Sequence, residues 1–243
     1  MQHFKLLLFL LLPCALPAQW TPLQTGSTTF LESAFAVDQN TWFIGGSAVT
    51  LRSTNAGATW SSFPLAADGI PLLGSSITEL HFFTPSSGVA TGIFFLGNDE
   101  LVLRTSTGAQ NWTVAFQGNT GAFPLYYNDL FFQDNTEGWA VGSGGHILHT
   151  QNSGAGWSPV SIPGVGWELY CIGFSDAQNG FIGGTGGLLR STNGGTTWTP
   201  TGMTDAVTAI QFLNAQTGFI SGYNSLKKTT DGGQTWIDVP MPP

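Results

Sequence analysis

STNAGATW at 53–60, TSTGAQNW at 105–112, TQNSGAGW at 150–157, STNGGTTW at 191–198 and TTDGGQTW at 229–236 are five versions of one eight-residue phrase. Their closing tryptophans, Trp60, Trp112, Trp157, Trp198 and Trp236, follow one another at 52, 45, 41 and 38 residues, the period of a small repeated sheet and not of a helical hairpin. Each copy reads as a tight hairpin loop. Ser53, Ser191 or a threonine opens it, and Asn55, Asn152, Asn193 and Asp231 offer an acceptor to nearby backbone N–H groups. Gly57, Gly154, Gly195 and Gly233 permit a positive φ, and the tryptophan then covers the turn and starts a strand. Thr107 fills the acceptor slot in the second copy, which is expected to be the least regular.

Upstream of each loop the same longer sentence recurs. FIGGSAVTLR (43–52), GVATGIFFLGNDELVLR (88–104), GWAVGSGGHILH (138–149), GFIGGTGGLLR (180–190) and GFISGYNSLKK (218–228) each give a short apolar strand, a Gly-rich turn and a second strand. Before these stand LESAFAVDQN (31–40), ITELHFFTPS (77–86), YNDLFFQDNT (127–136), LYCIGFSDAQ (169–178) and VTAIQFLNAQ (207–216), apolar runs ending in a turn. With the segment after each tryptophan, every repeat holds four strands. The runs are continuously apolar and not alternating, so the strands are expected to be covered on both faces. Four-stranded antiparallel units that bury both faces against like neighbours define an all-β fold, a β-propeller, here of five blades. Gly and β-branched residues interrupt every window long enough for a helix. Gln19-Trp20-Thr21-Pro22 resembles Thr197-Trp198-Thr199-Pro200, and is expected to pair as a strand with the last blade and close the ring.

The five loops resemble the Asp-box of bacterial neuraminidase repeats, and the whole unit is similar to that of the photosystem II stability and assembly factor family of propellers. The resemblance covers residues 20–243. It implies the propeller fold and a protein-binding or assembly role. Asp-box propellers also include sialidases and glycan-binding and cellulase domains. A sialidase needs three arginines converging on a substrate carboxylate, beside a Tyr/Glu nucleophilic pair and an Asp acid/base. Arg52, Arg104 and Arg190 instead share one slot before the loops, with His149 and Lys228 in the other two copies. Equivalent positions on different blades point outward around the ring and cannot meet.

The N-terminus is set aside from the fold. Lys5, then LLLFLLLP, then ALPA reads as a signal peptide cut after Ala18, leaving 19–243 as a single exported domain, periplasmic or secreted. Cys14 raises a lipoprotein reading, against which Pro13 stands, and Cys171 is then a lone buried thiol. Only 8% of the 243 residues are charged, with a net charge of −8, so the chain cannot neutralise many phosphates and nucleic acid is excluded as a partner.

No phosphate loop, His-Glu-x-x-His, Cys-x-x-Cys or Gly-x-Ser-x-Gly occurs, so neither a cofactor nor a metal is expected. Aligning the first strands places Ser33, Glu79, Asp129, Cys171 and Ala209 in one column near the central channel. Glu79 and Asp129, with His81 nearby, read either as an acid/base pair or as carboxylates bonded to backbone N–H groups. His146 and His149 read as solvated strand ends. What is not repeated points to a binding face: the loops 63–76, 93–100, 116–127 and 163–170 lie opposite the motif turns. They carry Phe63, Leu72, Phe94, Phe95, Phe123, Tyr126, Tyr127 and Trp167, with Asp99, Glu100 and Glu168 beside them and Tyr223 on the same face. A non-catalytic module with a protein partner at this face is the expectation. The alternative is a carbohydrate-binding or glycoside-cleaving propeller that stacks sugars on Trp167, Tyr126 and Tyr127 and uses Glu79, Asp129 or Glu168 for polar work.

Overall fold

The computed structural model describes residues 22–94, 99–119 and 126–240. The chain is an all-β propeller of four-stranded antiparallel blades, five of them among the described residues. The first comprises β1 (Leu31–Ala36), β2 (Trp42–Gly46), β3 (Val49–Ser53) and β4 (Ser61–Pro64), and is followed by a small hairpin, β5 (Ala66–Ala67) and β6 (Ile70–Pro71). The second comprises β7 (Ser76–Phe82), β8 (Gly88–Ile93), β9 (Asp99–Thr105) and β10 (Thr113–Asn119); the third β11 (Tyr127–Phe132), β12 (Gly138–Gly142), β13 (Ile147–Thr150) and β14 (Ser158–Val160). The fourth is β15 (Leu169–Phe174), β16 (Gly180–Gly184), β17 (Gly187–Ser191) and β18 (Thr199–Pro200), and the fifth β19 (Ala209–Phe212), β20 (Gly218–Ser221), β21 (Leu226–Thr229) and β22 (Ile237–Asp238). Among the described residues the one helical turn is the 3-10 segment Ser143–Gly145.

The motif turn is held by the same two side chains each time. The opening hydroxyl accepts the N–H four residues on: Gly57 to Ser53 at 2.9 Å, Ala109 to Thr105 at 3.1 Å, Gly154 to Thr150 at 3.1 Å, Gly195 to Ser191 at 2.9 Å and Gly233 to Thr229 at 2.8 Å. The residue two further on accepts a second N–H, from Thr59 to Asn55, Gly156 to Asn152, Thr197 to Asn193 and Thr235 to Asp231. Thr107 does the same for Asn111 at 2.9 Å, so the second copy is as regular as the rest. Two consecutive residues, not one, have positive φ, and the first is Ala56 (54°) or Ser153 (59°) in two copies. Every turn is also latched to the turn between the first and second strands of its own blade, as when Ala56 N–H donates to Asn40 O and Gly194 N–H to Gln178 O.

Blades pack through one repeated joint. Val89, Trp139 and Phe181, at the second position of β8, β12 and β16, lie under the turn glycine of the next blade. A Cβ on Gly154, Gly195 or Gly233 would stand 2.5, 2.7 or 2.2 Å from those side chains, so only glycine fits. Within each of blades two to five a phenylalanine closing the first strand lies on the glycine opening the second, as Phe132 on Gly138 and Phe174 on Gly180. The first blade inverts the pair: Ala36 replaces the phenylalanine and Trp42 the glycine. Trp42 then covers its own turn glycine, Gly57, together with Leu23, beside an apolar groove of about 370 Å3.

The first strands pack in chain order, β1 on β7, β7 on β11, β11 on β15 and β15 on β19, while β19 makes no comparable contact with β1 among the described residues. The sequence expects a closing strand from residues 19–22. Gln19, Trp20 and Thr21 lie outside the described residues, Pro22 belongs to no strand, and the outer position of the last blade is filled by its own Ile237–Asp238. Burial follows this order, since β15 is nearly all buried whereas β1 and β19 are largely exposed.

Candidate functional site

The site is built around the innermost strands. In four of them the pairing with the second strand shifts by one residue, between Leu31 and Ser33, Ile77 and Glu79, Tyr127 and Asp129, and Leu169 and Cys171. A bulge of this kind re-aims the extra side chain, here Glu32, Thr78, Asn128 and Tyr170. Each of these turns to the next blade. Glu32 accepts from Ser76 Oγ, Thr78 Oγ1 donates to Tyr127 O at 3.1 Å, Asn128 Nδ2 donates to Leu169 O at 2.8 Å, and the Tyr170 and Tyr223 hydroxyls bond at 3.3 Å.

The expected column of Ser33, Glu79, Asp129, Cys171 and Ala209 forms beside these bulges and makes a second belt of contacts. Ser33 Oγ donates to Glu79 Oε2 at 3.4 Å, and Cys171 Sγ approaches Val207 O at 3.8 Å. Asp129 spends both oxygens on backbone: Oδ1 accepts Leu130 N–H at 2.8 Å and Oδ2 accepts Ile172 N–H of the next blade at 2.7 Å. Burial raises the pKa of Asp129 despite these bonds. Burial, then the nearby charge of Asp129, pushes Glu79 up to about 7. His81 is half-buried among Phe35, Phe83 and Phe132, and burial holds it down to about 4. Grooves of about 350, 380 and 370 Å3 open elsewhere, and neither Glu79 nor Asp129 lines any of the three. Among the described residues no three His, Cys, Asp or Glu side chains are placed to hold a metal.

The arginines lie where the sequence puts them, on the third strands. Arg52 and Arg190 stand 5.7 Å over the rings of Phe43 and Phe181, and Lys228 5.8 Å over Phe219. His149 takes the same place, stacked 4.8 Å from Trp139 and bonded to Glu137 at 3.0 Å, so it is not the solvated strand end expected.

The loop face divides. Phe94 (2% exposed) and Tyr127 (1%) were expected on the binding surface and are instead core, as is Leu72. Leu72 folds back because the β5–β6 hairpin returns the long first connection onto the blades, where Leu65 and Ala67 are buried with it. Phe95 and Phe123 lie outside the described residues, and the side chains of Asp99 and Glu100 are likewise not described. Trp167 is half-buried, its ring against Gly184 and Gly186.

What remains is gathered at one mouth of the channel. Tyr126 and Glu168 directly precede β11 and β15, Tyr170 is the second residue of β15 and Tyr223 lies in the turn between β20 and β21, so all four stand at the same end of their blades, and the bond to Tyr223, then slight burial, then the charges of Tyr223, Glu168 and Tyr126 push the Tyr170 phenol up to about 12. Three of the chain's four tyrosines therefore lie at this end, and the Tyr170 and Tyr223 hydroxyls are bonded to each other. Glu168 Oε2 is buried and accepts no hydrogen bond. Tyr170 was missed because only the bulge turns it to the channel, and a bulge shifts pairing by one residue without a mark in the sequence.

No family model and no curated protein matches the sequence. Solved structures share the fold. An ancestral GH74 enzyme is 16% identical with a TM-score of 0.69, the match covering 90% of this chain and 32% of that one. The extracellular domain of a hybrid two-component system of B. thetaiotaomicron is 12% identical with a TM-score of 0.66, covering 90% and 30%. YCF48 from Cyanidioschyzon merolae, a photosystem II assembly factor, is 15% identical with a TM-score of 0.51, covering 90% and 87%. The chain thus spans about a third of the first two and most of the third, and the resemblance read from the repeats has its counterpart in the fold. No helix among the described residues is long and apolar enough to cross a membrane.

Proposed function

We propose that the mature chain is an exported, non-catalytic propeller that binds a protein partner at the tyrosine-lined mouth, as a scaffold or assembly module. The observation that carries this reading is the contrast between the two candidate sites. Asp129 has both oxygens engaged in joining blades, so the Glu79/Asp129 pair lacks the free carboxylate that acid/base hydrolysis requires. The mouth, by contrast, presents exposed Tyr223, bonded to half-buried Tyr170, with half-buried Tyr126 at the same end of the blades. Amphipathic rings on a rigid rim give large contact area at low entropic cost.

Residues 19–243 used as bait, beside a glycan array at equal protein concentration, test the proposal. A stoichiometric protein partner whose retention is lost in Tyr126→Ala/Tyr223→Ala is the expected result. Array signal without a protein partner would replace it with the carbohydrate reading, in which Trp167 and the tyrosines stack on sugar rings.

A further inference from the structure

The joint between blades has two unlike halves, and the described chain ends on one of each. On the side of the first blade that faces the second, Phe43 is stacked 3.6 Å from Phe82, and a Cβ on Gly45 would meet Ile77 at 2.5 Å. Arg52 lies over Phe43 and reaches the next motif turn, since a Cβ on Gly108 would stand 2.7 Å from both Arg52 Nη1 and Pro85 O. In the fifth blade Phe219 holds the place of Phe43, and Lys228, exposed and 5.8 Å over its ring, holds that of Arg52. Among the described residues no blade follows it, so this half of a joint has nothing to seat on.

The other half stands on the far side of the first blade. Side chains alternate along a strand, so Ala34, Ala36, Trp42 and Ile44 point away from the second blade. With Leu23 and Trp60 they line the apolar groove of about 370 Å3. At the places of Ala34 and Ala36 blades two to five carry a leucine or isoleucine and a phenylalanine, which enter the preceding blade, as Phe174 lies 4.5 Å from Trp139. The first blade has a hollow where the others have a knob. Beside it is the turn Val37–Thr41, the match of the turn holding Pro85, since Val37 N–H donates to Thr41 O as Phe83 N–H does to Ser87 O. Asp38 in that turn is exposed, its Oδ1 accepts the Asn40 and Thr41 N–H groups, and no Lys or Arg among the described residues pairs with it.

We propose that these halves meet between molecules: the fifth blade of one copy seats on the first blade of a second, with Phe219 in the hollow at Ala34 and Ala36 and Lys228 against Asp38. The occupant is a second copy because the groove is the receiving side of an interface that the chain already makes four times, and another copy carries the matching side with the opposite charge. Unlike faces joined in this way add copies head to tail. None of these residues belongs to the tyrosine-lined mouth, so the inference goes beyond the partner reading and does not depend on it.

Analytical ultracentrifugation of residues 19–243 from roughly 1 to 300 μM, a span that brackets micromolar association, is the test. The sedimentation coefficient is expected to rise with concentration. Lys228→Glu sets two carboxylates against each other and should remove the rise. Asp38→Asn keeps the turn acceptor, as Asn214 does in the fifth blade, and should weaken association by roughly fivefold. Both variants should keep the parent's thermal midpoint at the lowest concentration. A chain that stays monomeric throughout, including one whose fifth blade folds back on its own first blade, overturns the proposal. Self-association indifferent to Lys228→Glu overturns it as well, since the contact then uses another face. A captured partner on a monomeric chain leaves the scaffold reading standing and removes this inference; self-association lost in Lys228→Glu, with no partner captured, does the reverse.

Discussion

Single backbone positions carry much of the joint between blades. Gly195 has φ 75°, and a methyl there would stand 2.7 Å from Trp139 Nε1. Gly195→Ala is therefore expected to cost about 2–4 kcal/mol, from left-handed strain plus overpacking, read as a lower urea midpoint. Ala56 is the opposite case: it is exposed and held at φ 54° with nothing gained from its methyl. Ala56→Gly should gain roughly 0.5–1 kcal/mol, the left-handed penalty less glycine's extra chain entropy. If both changes move the midpoint the same way, conformational strain does not set the choice at these turns.

The clamp between elements is clearest at Asp129, which ties the third blade to the fourth. Asp129→Ala leaves the buried N–H groups of Leu130 and Ile172 without an acceptor and is expected to cost about 2–4 kcal/mol. A catalytic carboxylate in an open site would show a small change in stability instead, so urea unfolding separates the two roles. The repeat also predicts where the fold opens first. β19–β22 form the least buried blade, and among the described residues β19 packs on a neighbouring blade on one side only, so their amides should exchange with deuterium sooner than those of β15–β17.

For the whole molecule, two half-buried groups give stability opposite dependences on pH. Glu79, raised from 4.5 to about 7, favours the folded state while protonated, and that contribution is lost as pH rises from about 4.5 through 7. His81, lowered from 6.5 to about 4, contributes above 6.5, and its share is lost as pH falls towards 4. Glu79→Gln should match the parent near pH 4.5 and exceed it above pH 7; His81→Phe should flatten the acid side. Thermal midpoints across pH 4–8 check both, and a Glu79→Gln curve parallel to the parent's would show that this carboxyl is not the source of the loss.

The sequence by itself determined the blade. A Ser/Thr, an Asn/Asp two residues on, a glycine and a tryptophan carry their own hydrogen bonds and φ requirement, so the turn is a local object and repeats wherever the phrase does. The channel column and the arginine slots followed from the same register. Tertiary structure alone decided which aromatics are surface. Phe94 and Tyr127 read like Tyr126, yet they are core because neighbouring blades and the β5–β6 hairpin cover them. It also turned Tyr170 to the mouth through a bulge, gave the second oxygen of Asp129 to the next blade, and left β1 and β19, among the described residues, without the packing that joins the other first strands. These outcomes depend on contacts between residues some forty positions apart, which the local pattern of one repeat does not contain.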